Sequence, residues 1–502
     1  MTPRSFLRAG ATAAAIVVLA SALHAAPAVA PGWQPLFDGQ SLRGWRAAEH
    51  PESFRVQDGA IHCDGARAHL FYEGGSGDAA FENFELIVEV RTRPGANSGI
   101  YFHTAYQESG WPEAGFEVQI NNSQAWQGDY RENKRTGSLY GIRNIYRPVV
   151  PDDAWFSVRI LVRRPRVEVW VNERLLVDYT EPSFPLPEGA PRLNALGRGL
   201  FALQAHDVGS RVEYRQIRVR RLPGGATPGM HSPPLDPVAA RRLELGKDNF
   251  PWIDLHTHLK GDLTLEDALA LSRATGMGLG IAIHGGQGFP MQTDAMAIAF
   301  IESHRDIPAF LALQAEGREW VRMFSPEVLA RFDYVLSDAM TYSDAQGRRM
   351  RLWVAEETFI GPDVESFMDH LTAHTVAILT REPIDIYANP TYLPDAIAAR
   401  HGELWTEARM RRIIDAAVAN SVAIEINARY HLPSERFLRM ALQAGAKFAI
   451  GTNNTNAADL GDWTYPMEMQ RTLGLTWRNM YVPGHEPTRA QRALTGARAL
   501  KP

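Results

Sequence analysis

Phe84-Glu85-Leu86-Ile87-Val88-Glu89-Val90-Arg91 puts Phe84, Leu86, Val88 and Val90 on one face. Successive side chains of a strand point to opposite faces, so this period of two marks a half-buried β-strand. The pattern extends outward from there. Val167-Glu168-Val169-Trp170-Val171 alternates, Asn172-Glu173 follows as a short polar turn, and Leu175-Leu176-Val177 returns, which reads as a hairpin. Short strands with Gly, Pro and Asn between them recur from Trp33 to Leu222. That predicts an all-β antiparallel sandwich of about 190 residues.

Pro223-Gly224-Gly225-Ala226-Thr227-Pro228-Gly229 and Ser232-Pro233-Pro234 then break the pattern and mark a linker. From Phe250 onward short apolar strands alternate with helical stretches such as Leu265–Thr275 and Glu407–Asn420. Strand–helix alternation predicts a parallel β/α architecture. At the other end, Arg4 and Arg8 precede an apolar run from Ala11 to Ala22, then Ala26-Pro27-Ala28 and Ala28-Val29-Ala30. This has the form of a cleaved signal peptide and is shorter than a membrane span. The expected order is a signal peptide over 1–30, the sandwich over 31–222, a Pro/Gly-rich linker over 223–250, the barrel over 251–485 and a tail over 486–502. The mature protein is expected to be secreted or periplasmic, with no stable membrane insertion after cleavage.

Composition bounds the function. The 502 residues are 45% hydrophobic and 22% charged, ordinary for a globular chain of more than one domain. Lys plus Arg is 52 against 57 Asp plus Glu, a net charge of −5, which argues against nucleic acid as a partner. Cys63 is the only cysteine, so an internal disulfide, a thiolate zinc cluster and an iron–sulfur site are excluded.

Parity sorts the polar side chains of the first half. Glu89 and Arg91, Glu117 and Gln119, Gln204 and His206, and Tyr101 and His103 each form an alternate pair opposite an apolar set. Amides, carboxylates and aromatic rings together suit a carbohydrate cleft, and a small-molecule sugar is the expected partner. These residues carry a resemblance to a known family. Leu36-Phe37-Asp38-Gly39, Asp58-Gly59, Phe84-Glu85-Leu86, Asn97-Ser98-Gly99-Ile100-Tyr101-Phe102, Gly115–Ile120 and Thr136-Gly137-Ser138-Leu139-Tyr140-Gly141 resemble, in order and spacing, the 3-keto-disaccharide hydrolase family (3-keto-glucoside lyase/hydratase domains). The resemblance implies a concanavalin-A-like jelly roll that cleaves 3-keto-glycosides by elimination and hydration, or by net hydrolysis. A ketone at C3 acidifies the C2 proton, so the site needs a base, a proton donor and polarisation of the ketone oxygen. Glu117 and His206 are the candidates for proton transfer. Arg91, Asn97, Gln119, Tyr140 and Gln204 are the candidates for binding the sugar. The alternative is a lectin-like sandwich that directs a hydrolytic or structural barrel to glycans.

In the second half, seven strand ends carry a polar residue. Trp252-Ile253-Asp254-Leu255 runs into His256-Thr257-His258; the later strands end at His284, Glu316, Asp338, Asn389, Glu425 with Asn427, and Asn453. Functional groups gather at the carboxyl ends of strands in β/α barrels. Pro251 to Leu473 resembles the PHP (polymerase and histidinol phosphatase) family, which implies a distorted seven-stranded, TIM-type β/α barrel that holds metals. His256, His258, His284, Glu316, Asp338 and Glu425 are the candidate ligands for a divalent metal (zinc, manganese or iron), and no organic cofactor is expected. Asn453 and Thr455 stand where that family has Asp and His, and Asn389-Pro390 where it has His-Pro. Two readings therefore stay open: a retained site of one or two metals that activates water, or a degraded scaffold or non-metal sugar-binding partner.

Overall fold

The computed structural model describes residues 32–75, 79–124, 128–183, 195–344 and 346–496. The signal peptide expected over 1–30 and the last residues of the expected tail lie outside them. Two β-sheets face each other over a common core in the amino-terminal half. One runs in the order Arg174–Thr180, Arg166–Val171, Phe156–Arg163, Phe84–Thr92, Arg211–Arg221, Ala60–Asp64, Phe54–Gln57, with Gln34–Pro35 added on Arg211–Arg221. The other runs Trp45–Ala48, Ala68–Tyr72, Leu200–Ala205, Ser98–Thr104, Phe116–Ile120. All their pairings are antiparallel, and the result is a jelly-roll-like sandwich. Phe84, Leu86, Val88 and Val90 from the first sheet meet Ile100, Phe102, Phe116, Val118 and Ile120 from the second in one core. The hairpin turn is as read: Asn172 and Glu173 have φ of 46° and 65°, the positive pair that a two-residue turn matched to strand twist requires.

Seven parallel strands close into a barrel in the carboxy-terminal half. They are Ile253–Thr257, Gly278–Gly285, Phe310–Ala315, Tyr334–Ser337, Ile386–Tyr387, Ala423–Asn427 and Phe448–Gly451, each beside its successor, and Asp254 pairs with Ile450 to close the ring. Helices such as Leu265–Thr275 and Glu407–Ala419 follow the strands. The first is capped by Thr264, which accepts from the Asp267 N–H, and stopped by Gly276 at φ 73°.

The stretch expected as a linker contains the helix Pro237–Lys247, capped by Asp236. Leu245 of this helix joins the barrel core and Leu243 packs against the sandwich core, so the connection is docked. The helix Arg489–Thr495 in the expected tail is likewise part of the barrel, since Asp385 accepts from its Arg489 N–H at 2.8 Å. Composition showed the breakers around these helices but not the contacts that order them.

The sandwich closes the barrel from below. Tyr146 belongs to the barrel core, and its hydroxyl accepts from the Trp252 N–H at 3.0 Å. A Cβ on Gly278 would stand 2.6 Å from the Tyr146 ring, so glycine is what lets the tyrosine in. Arg147 donates to the carbonyls of Arg305 and Ile307 at 2.8 Å each and pairs with Asp333 at 3.2 Å. Trp252, Ile307 and Asp333 all lie just before barrel strands, so this contact covers the amino ends and the mouth opens away from it. No helix among the described residues is long and apolar enough to cross a membrane.

Candidate functional site

Alternation places His69, Tyr101, Glu117 and Gln204 on the outer face of the five-stranded sheet. Cross-strand register pairs Tyr101 with Glu117 and His69 with Gln204. The Tyr101 hydroxyl donates to Glu117 Oε2 at 2.8 Å, and Gln204 Nε2 donates to the Tyr101 oxygen at 2.9 Å and lies 3.4 Å from Glu117 Oε1. Gly99 makes room: a Cβ there would stand 2.3 Å from Glu117 Oε1. Burial pushes the Glu117 carboxyl up to about 7, against the hydrogen bond from Tyr101 that favours its charged form. Burial also holds Tyr101 well above the usual phenol range, so it stays a donor.

The far side of this face is aromatic. His69, pressed down to about 4 by burial, is a neutral imidazole whose Nε2 has no partner. Its ring meets Tyr101 edge-on at 5.4 Å and Trp111 at 5.7 Å. Trp111, 44% exposed, also leans on His206 at 5.3 Å. His206 Nδ1 lies 2.7 Å from Asp207 Oδ2, which leaves Nε2 as the free ring nitrogen. Burial would raise Asp207, but hydrogen bonds from His206, Ser210 and the Gly209 N–H outweigh it and hold the carboxyl below its ordinary range. Glu117 and His206 thus share one face, joined through Tyr101, His69 and Trp111.

The remaining expected sugar-binding residues divide. Gln119 donates to Asn97 at 2.8 Å and Asn97 to Gln124 at 2.9 Å, so these buried amides largely hold one another. Tyr140 lies beside Glu117, whose carbonyl accepts from its N–H at 2.9 Å, and its hydroxyl donates to Glu132 at 3.0 Å. Arg91 is not in the cluster, which corrects the expectation. Its strand belongs to the eight-stranded sheet, where Arg91 pairs with Glu213 and lies 4.7 Å from the Trp155 ring. Parity tells which side of a strand a residue takes, not which sheet the strand joins. His103 leaves the pattern as well: its φ of 57° turns the ring to the Glu82 carbonyl at 2.8 Å.

Sequence reasoning missed His69, Trp111 and the Glu132–Lys134 pair. His69 was findable, since the strand Ala68–Tyr72 sets it beside Gln204. The pair was not, because residues 130–135 follow no period. Lys134 is wholly buried, 3.0 Å from Glu132 Oε1 and 3.1 Å from Asn249 Oδ1.

The barrel mouth gathers the second set. His256, buried, has Nδ1 at 2.6 Å from Glu425 Oε1 and Nε2 at 2.9 Å from Gln314 Oε1. Both contacts are satisfied by an imidazolium donating to a carboxylate and an amide oxygen, and the neighbouring carboxylate outweighs burial to raise the ring above its ordinary value. Glu425 Oε2 accepts from the Asn389 N–H at 2.6 Å and from Asn427 at 3.0 Å. His284 Nδ1 meets Glu316 at 2.9 Å, and Asn389 donates to Asp338 at 2.8 Å. Burial, with Glu316 nearby, pushes Asp338 up to about 7. His258 donates Nδ1–H to the Ala282 carbonyl at 2.9 Å, keeps a buried Nε2 without partner, and stacks on His284 at 4.4 Å and 15°. The six expected ligands are therefore neighbours, but their donors do not close round a cation. Both nitrogens of His256 are taken, Glu316 and Asp338 are engaged by His284 and Asn389, and no group of three or more His, Cys, Asp or Glu among the described residues is arranged to hold a metal.

Comparison with known proteins concerns the first half. A family model described as a 3-keto-alpha-glucoside-1,2-lyase-like domain matches residues 32–220. A 3-keto-disaccharide hydrolase of Bacteroides thetaiotaomicron is 27% identical over 243 residues, covering 39% of this chain and 80% of that protein. Among solved structures, a candidate glycosyl hydrolase from Parabacteroides distasonis is 22% identical with a TM-score of 0.32, covering 38% of this chain and 94% of that one. A Bacillus subtilis protein of unknown function with a galectin-like fold is 10% identical with a TM-score of 0.27, covering 38% and 94%. The amino-terminal region thus holds a domain similar to the 3-keto-disaccharide hydrolases.

Proposed function

We propose that the sandwich cleaves 3-keto-glycosides by elimination followed by hydration, for a net hydrolysis. The observation that carries this reading is the convergence on one face of a carboxyl titrating near neutrality and an imidazole oriented by a carboxylate. His206 Nε2 takes the C2 proton, and the freed electron pair is held as the enolate of the C3 ketone. The enolate expels the glycosidic oxygen from C1, and Glu117 supplies the proton that oxygen needs. Water then adds hydroxyl to C1 and hydrogen to C2 of the enone. Gln204 and the Tyr101 hydroxyl are the near donors for orienting the sugar, and Trp111 is a partly exposed platform for its ring. Export from the cytoplasm belongs to the same proposal and is supported by the form of the leader sequence alone.

The full chain incubated with a 3-keto-disaccharide tests this. Glu117→Gln and His206→Ala are each expected to lower kcat by roughly 100-fold or more, the range of positioned acid–base groups, with neither variant losing its fold or falling in melting temperature. Turnover that survives both substitutions sinks the assignment. Binding without turnover by the unmutated chain favours the lectin-like alternative.

For the barrel, the PHP-like reading is supported by seven closed parallel strands and the His256-Thr257-His258 motif ending the first. Because the donors are spent on one another, no step is derived through a metal.

A further inference from the structure

A crevice of about 210 Å³ lies where the sandwich, the connecting helix and the barrel meet. Arg143 and Tyr179 line it from the sandwich, Asp236 and Arg242 from the connector, and Ala274 and Thr275 from the barrel. Tyr179 is 1% exposed and its hydroxyl has no hydrogen-bond partner, and Arg242 Nε is also buried and unpartnered. A buried hydroxyl or guanidinium left unpaired is costly, so such groups together mark a place for a ligand.

Two guanidinium groups, Arg143 and Arg242, line the crevice with one carboxylate, Asp236. Arg143 sits 4.8 Å over the Tyr179 ring and spends its Nε on the Ala274 carbonyl and its Nη1 on the Ile142 carbonyl, both at 2.8 Å. Its Nη2 has no protein partner among the described residues. Burial, with Arg242 close by, presses Arg143 down to about 10, outweighing the pull of Asp178 on its charge, and burial likewise lowers Arg242 against the pull of Asp236. The acids nearby are engaged elsewhere. Asp236 accepts from the Ala239 N–H at 2.8 Å as the helix cap, and Asp178 makes a two-pronged pair with Arg166 at 2.6 Å. Pro182, Pro233 and Leu243 supply apolar walls.

We propose that this crevice binds a small oxyanion, a carboxylate or phosphate group, held by Arg143 and Arg242 and accepting from the Tyr179 hydroxyl. Guanidinium groups suit such anions because their donors match the spacing of the oxygens. A bound anion would touch sandwich and connector together and so tie the two halves of the chain.

Thermal unfolding of the full chain at matched ionic strength tests this, with sodium chloride, inorganic phosphate, sulfate, acetate and glucuronate as probes at roughly 20 mM. A ligand that binds only the folded state raises the melting temperature, here by about 2–4 °C over chloride for the preferred probe. The phosphate and sulfate arms against the acetate and glucuronate arms tell which oxyanion is preferred. The rise is expected to vanish in Arg242→Gln and to shrink in Tyr179→Phe, which keeps the ring and its packing. Melting temperatures equal to chloride for every probe, or a rise undiminished in both variants, overturn the proposal.

Discussion

Glu117 keeps a proton near neutrality because burial outweighs the hydrogen bond from Tyr101, and that ties activity to stability. Its folded pKa of about 7 lies above the ordinary 4.5, so the folded chain holds this proton more tightly than the unfolded chain does. The stability due to it is complete below about pH 4.5 and is lost as pH rises through about 7. Glu117→Gln removes that loss, so from pH 5 to pH 8 the variant should gain on the parent by about 2–3 kcal/mol. Urea unfolding at the two pH values measures it, and parallel pH dependence of the two proteins refutes the shifted carboxyl. Tyr101→Phe leaves the carboxyl without its donor, so the pH at which turnover falls should move upward; an unmoved profile means that Tyr101 does not tune Glu117. At this scale Glu117, Gln204 and His206 were legible from alternation. Arg91 was misplaced, because an alternating strand looks the same in either sheet of a sandwich.

Strands of the barrel bring their polar ends so close that glycine is required between them. A Cβ on Gly451 would stand 2.1 Å from Glu425 Oε1 and 2.6 Å from the His256 Cβ. Gly451→Ala should therefore cost about 1–3 kcal/mol as an overpacked core does, measured as a lowered urea midpoint; an unchanged midpoint means the mouth is looser than described. Because His256, Glu425 and Gln314 brace the mouth by hydrogen bonds, a chelator should leave the melting temperature of the purified chain within about 1 °C, whereas loss of a metal that braced the fold would lower it. A drop of several degrees, restored by zinc or manganese, contradicts the donor assignment. The seven strand ends were readable because a polar residue closing an apolar run stands out. What those residues do was not, because sequence does not show that Gln314 claims the second nitrogen of His256.

Across the whole molecule, the seam between the halves resembles a shared core more than a tether. Tyr146 fills the barrel from outside it, and Asn249, at φ 62°, donates to the Arg131 carbonyl at 2.7 Å while its own oxygen takes the Asn133 N–H at 3.1 Å. The full chain should thus melt in one calorimetric transition, and Tyr146→Ala should lower the melting of both halves together by several degrees. Two separate transitions, with only one shifted by that substitution, show independent domains. The run of Pro and Gly suggested independence; residues 131–147 and 237–249, which carry the seam, have no periodicity that announces a partner.

The sandwich plugs the barrel at the floor, and the ring of histidines and amides looks out from the opposite rim. Under the proposed cleavage, a product shed past the part-exposed Trp111 leaves the sandwich into solvent, while the barrel mouth faces away from the sandwich. That product must travel through open water, dilute into the surroundings, and be equally available to any competing scavenger before the second half meets it.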